Sequence, residues 1–168
     1  MKIAISEILD MTVDYNHKGP EWRQTKWIVL SSTSFLVPSI YGYIQEEYII
    51  SYTLCCASLI SMNYWRNANY SWRRIIDRLF AKFAFIVLFT NCIWYVRGKL
   101  LLINCYTFLV LFVYCYYMSN KLGETTNNKL PTNELWWKYH VVFHLLMSYD
   151  QMIIIYCTSQ HKKIGNHP

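Results

Sequence analysis

Charge is what this chain has least of. Charged residues make up 15% of 168 positions, where a soluble domain carries about a quarter, and only 5 Gly and 4 Pro interrupt the sequence. An ordinary soluble domain is excluded on that count. Nor does the chain open with a charged start, an apolar core and a small-residue cleavage site, so no removable signal peptide is expected. No pair of its 6 cysteines has zinc-finger spacing. All six fall inside apolar runs, and adjacent Cys55 and Cys56 point to different helix faces, so they read as small packing residues and not as a disulfide framework. The formal net charge of +6 comes without a basic stripe or stacking motif, which argues against nucleic acid. Basic residues that flank apolar spans orient a protein against anionic lipid headgroups instead.

What the chain does have is apolar and aromatic: 54% hydrophobic residues, with 15 Tyr, 8 Phe and 7 Trp. The charges gather in residues 18–26, at Glu46 and Glu47, and in 66–82, 97–99, 121–138 and 162–163. Between them lie apolar runs of roughly 18 to 20 residues, the length that crosses a bilayer as a helix. The expected fold is all-α: a polytopic transmembrane bundle of about five spans, at 27–44, 48–65, 76–96, 100–118 and 135–157. Residues 1–26 form a polar amino-terminal segment in which Ile3, Ile5, Ile8 and Leu9 give an amphipathic pattern suited to the membrane surface, and 158–168 form a polar tail. Pro38 is expected to kink the first span, where the run Ser31 to Ser34 is tolerable because hydroxyls bond back to helix carbonyls or to a neighbouring helix.

The Lys and Arg bias of 18–26, 66–82 and 121–138 places those regions in the cytoplasm, with the turn at Glu46 and Glu47 outside. The amino terminus is then cytoplasmic and the carboxyl terminus extracytoplasmic. Asn69-Tyr70-Ser71 is a glycosylation acceptor pattern that this topology predicts stays bare.

The polar residues within the spans carry the functional reading. His140 and His144 are four residues apart, so they share one helix face and can hold one metal ion, or simply hydrogen-bond a neighbouring helix. The topology brings the end of the second span, the start of the third and the start of the fifth to one membrane face. Ser61, Asp77, His140 and His144 therefore lie at similar depth. Ser61 alone reads as a packing serine, and Asp77 can pair with Arg74 or Arg78. Asp150 and Gln151 lie deeper, hydrogen-bonding another helix or lining a polar channel.

Three short motifs, Ser61-Met62-Asn63-Tyr64-Trp65, Ile76-Asp77-Arg78 with Ala81, and His140-Val141-Val142-Phe143-His144, resemble those of the superfamily of alkaline ceramidases, progestin and adiponectin receptors and myomaker-like proteins. The resemblance implies a zinc-dependent lipid amide hydrolase. In it His140 and His144 would be zinc ligands, Ser61 would assist the metal-bound water or the oxyanion, and Asp77 would orient water or move its proton. The chain departs from the pattern in two ways: Trp65 stands where the family has its first histidine, and about five spans replace seven. A third ligand would have to come from Asp77, from Cys55 or Cys56, or from His17. The expected function is thus a membrane hydrolase with a degenerate zinc site and a lipid substrate. The competing readings are a non-catalytic membrane scaffold or interaction protein, and a small transporter or proton-conducting protein.

Overall fold

The computed structural model describes residues 20–68, 72–123 and 135–165. Residues 1–19 of the amino-terminal segment expected over 1–26, His17 among them, the Asn69-Tyr70-Ser71 pattern and most of the loop before Leu135 lie outside the described residues. Among the described residues the chain is all helical, with no strand. In order come α1 (Trp22–Ser32), a 3-10 turn (Thr33–Phe35), α2 (Leu36–Ile44), α3 (Tyr48–Trp65), α4 (Trp72–Tyr95), α5 (Lys99–Gly123) and α6 (Leu135–Gly165).

Among the described residues three stretches are long and apolar enough to cross a membrane: Trp22–Ile44, which takes in α1, the 3-10 turn and α2; Lys99–Gly123; and Leu135–Lys162. Helix α3 covers the residues expected of the second span, 48–65. Its 18 residues measure about 27 Å at 1.5 Å per residue, but Tyr, Ser and Asn dilute its apolarity. Arg73, Arg74, Asp77, Arg78 and Lys82 do the same for α4. The first and last helices outrun expectation, starting at Trp22 and continuing to Gly165. Polar residues near helix ends remain helical where a neighbour packs on them, as Tyr95 does on His161 at 5.5 Å. Large apolar side chains such as Leu30, Ile49, Ile86, Leu100 and Val110 stand more than half exposed on the outside of the bundle. A soluble monomer does not tolerate so much exposed apolar surface, whereas a bilayer covers it.

The break between α1 and α2 shows how the bundle is stitched. Pro38 lacks the N–H that would bond the carbonyl of Ser34 four residues back. That carbonyl accepts the Ser148 hydroxyl of α6 instead, at 2.7 Å. Two residues earlier the Ser32 carbonyl accepts the Ser58 hydroxyl of α3 at 2.9 Å. The carbonyls at the 3-10 break in the first span are therefore paired by serines from the two helices beside it, as an apolar surrounding demands of any freed backbone group.

The turns are short. Glu46 takes a left-handed φ of 62° between α2 and α3, and Gly98 a φ of 95° between α4 and α5. Beside Glu46, the buried Glu47 carboxylate receives the Lys162 ammonium at 2.7 Å, tying the α2–α3 turn to the far end of α6. The core is one cluster around Phe35, Leu54, Leu88, Phe112, Ile154 and Ile155, with a second at the opposite end around Ile28, Tyr64, Trp65 and Trp136.

Candidate functional site

The histidine pair lies between these two clusters. The spacing of four puts His140 and His144 on one face of α6, with ring centroids 4.7 Å apart and edge to face. His144 is buried, at 3% exposure, with the Phe35 ring 5.2 Å away. Its Nδ1 lies 2.9 Å from Ser31 Oγ and 3.4 Å from Ser32 Oγ. Both serines also reach back to the Ile28 carbonyl, at 3.0 and 2.8 Å, the back-bonding expected of hydroxyls inside a helix. If both hydroxyl protons serve that carbonyl, His144 must carry its proton on Nδ1 and donate to Ser31.

Ser61 joins this cluster from α3. Its Oγ is 3.1 Å from Ser32 Oγ, so Ser32 stands between Ser61 and His144 and links α1, α3 and α6. Neither Ser31 nor Ser32 was singled out by sequence reasoning as part of the site. The signal was the unbroken hydroxyl run of 31–34 in an apolar span, which was read only as tolerable.

His140 faces a different neighbour. Its Nδ1 is 3.1 Å from Ser119 Oγ near the end of α5, a residue the sequence assigned to a loop. On its other side Trp65 packs edge on at 4.8 Å, and Trp65 in turn lies 5.9 Å from Trp136. The indole N–H groups of Trp65 and Trp136 are buried without a hydrogen-bond partner. Among the described residues neither histidine Nε2 has one either.

Asp77 is not drawn into this cluster. It is half-buried on α4 with Arg78 as its charged neighbour, and no hydrogen bond or ion pair among the described residues links it to Ser61, His140 or His144. The expected quartet is thus a trio, Ser61, His140 and His144, with Ser31, Ser32 and Ser119 added.

A catalytic zinc site needs three protein ligands and an open position. Here the donors at hand are two imidazoles, and the third corner is filled by the Trp65 ring, whose N–H cannot ligate. Among the described residues no three His, Cys, Asp or Glu side chains group so as to hold a metal ion; Cys55 is half-buried and Cys56 faces outward. The described donor set does not fit the zinc site that the motifs imply.

No protein-family model, curated protein or solved structure matches the chain.

Proposed function

We propose that the chain is a five-span integral membrane protein on a ceramidase-like frame, in which the His–Ser cluster packs helices together and does not hydrolyse lipid. The observation that carries this reading is Trp65: its ring, 4.8 Å from His140, fills the corner a third imidazole would need. Small hydroxyl residues between membrane helices give close approach and interhelical hydrogen bonds of about 0.6 kcal/mol each, up to about 1.7. Among the described residues eight serines do this, Ser31, Ser32, Ser39, Ser51, Ser58, Ser61, Ser119 and Ser148. The protein then acts as a scaffold or interaction partner within the bilayer, with its amino terminus cytoplasmic and its carboxyl terminus outside. A glycan on Asn69 in a microsomal translation assay reverses that orientation.

A zinc-dependent lipid amide hydrolase is the second reading. It is favoured by one feature: both histidines are held through Nδ1 by serine hydroxyls, which is how ligating histidines are oriented for binding through Nε2. Metal analysis of the full chain purified in detergent separates the two. The scaffold reading expects substoichiometric zinc, unchanged in a His140→Ala/His144→Ala double variant, and a loss of folding stability or self-association in that variant. About one zinc per chain, lost in the double variant together with lipid amide turnover, overturns it in favour of the hydrolase.

A further inference from the structure

A second polar site lies deeper in the molecule, on the side away from Trp65. Asp150 and Gln151 of α6 are 5% and 2% exposed, yet Asp150 Oδ1 and Gln151 Oε1 have no hydrogen-bond partner. Both residues line a crevice between α4, α5 and α6, walled by Phe85, Phe89, Phe112 and Met147 and by the thiols of Cys92 and Cys105. Its enclosed space is about 20 Å³, room for roughly one water-sized group.

The crevice exists because of how the hairpin is built. Helices α4 and α5 each pack on α6, but their backbones scarcely meet each other. They touch through side chains such as Phe85 and Phe112, whose rings are 6.5 Å apart. Ile93 and Tyr106 line the gap and are half exposed on the outside of the bundle, so it is open there to the surrounding lipid. The Cys105 thiol reaches the Asp150 carboxylate, but Asp150 Oδ1 and Gln151 Oε1 stay without a donor, and each is costly to bury in an apolar setting. Both are acceptors, so the group that satisfies them is a donor. The aromatic walls favour a cation over a neutral head, and the open side admits an apolar chain.

We propose that this crevice binds a lipophilic primary amine, with its ammonium on Asp150 Oδ1 and Gln151 Oε1 and its single chain lying between α4 and α5 against the phenylalanines. An ammonium offers three donors and no acceptor, which suits the two oxygens left without a donor. A fatty acid is repelled by the carboxylate, and an alcohol satisfies one oxygen at most. The site shares no residue with the histidine cluster and rests only on the helices sitting in a bilayer, so it stands or falls apart from the reading of Trp65.

The experiment uses the full chain in zwitterionic lipid nanodiscs, with dodecylamine, dodecanol and dodecanoate as ligands and binding read from intrinsic fluorescence and thermal shift. Dodecylamine is expected to bind about tenfold or more tighter than dodecanol, since only the ammonium pairs its charge with the carboxylate and donates to both oxygens. Dodecanoate should not compete. Asp150→Asn should remove the amine preference. Leu109→Trp, which leaves Asp150 in place and fills the crevice wall, should abolish binding altogether. Equal binding of amine and alcohol, or an amine preference that survives both substitutions, overturns the proposal. So does a dimer in nanodiscs that Leu109→Trp converts to monomer with no response to amine, which assigns the crevice to a second copy of the chain.

Discussion

His144 gives the sharpest test of whether the histidine cluster is there for packing. Replacing it with alanine removes a fully enclosed ring that touches Phe35, Phe143 and His140 at centroid distances of 5.2, 5.5 and 4.7 Å. Emptying a buried aromatic site costs about 3–5 kcal/mol, and the lost bond to Ser31 adds about 0.6–1.7 kcal/mol on the scale found within membranes. His144→Phe separates the two contributions. It keeps the ring and loses the bond, and Ser31 and Ser32 remain satisfied through the Ile28 carbonyl. The phenylalanine variant should therefore lose only about 1–2 kcal/mol, a third or less of the alanine loss. The assay is reversible unfolding in mixed micelles, followed by tryptophan fluorescence, with and without a zinc chelator. Equal damage from alanine and phenylalanine, or a wild-type stability that falls on chelation, refutes the packing argument.

Other substitutions test the frame. Ser148→Ala leaves the Ser34 carbonyl beside Pro38 without its donor and should cost about 1 kcal/mol, more than Thr107→Ala on the exposed face of α5, when both are unfolded in the same micelles. Lys162→Ala strips the buried Glu47 carboxylate of its ion pair. Because Lys162 is half exposed, the loss should stay near about 1–2 kcal/mol, short of the about 3–5 expected of a fully enclosed pair, and proteolysis at the carboxyl end should report α6 fraying first. At the two left-handed turn positions the signs should be opposite: Glu46→Gly should gain roughly 0.5–1 kcal/mol and Gly98→Ala should lose a similar amount, read as shifts in thermal midpoint.

Fold class was legible because it rests on local quantities. Sparse charge, clustered at intervals, and apolar runs of spanning length determine helices in an apolar medium whatever their packing, and α3 falls on the residues expected of the second span. Helix ends were less legible, since α1 begins at Trp22 and α6 runs to Gly165 through polar residues held by neighbours such as Tyr95 and Glu47. The pairing of His140 with His144 was also fixed by spacing alone. Their partners were not: Ser31, Ser32 and Ser119 lie 113, 112 and 21 residues away in sequence, and only the crossing of α1, α5 and α6 chooses them. Asp77 shared a membrane face with the pair, but depth does not fix rotation about a helix axis, and α4 leaves it outside the cluster. The sequence showed that Trp65 replaces an imidazole. That its ring packs against His140, and that the polar floor at Asp150 and Gln151 opens between two helices that barely touch, was decided by tertiary packing, because both depend on which helix faces meet.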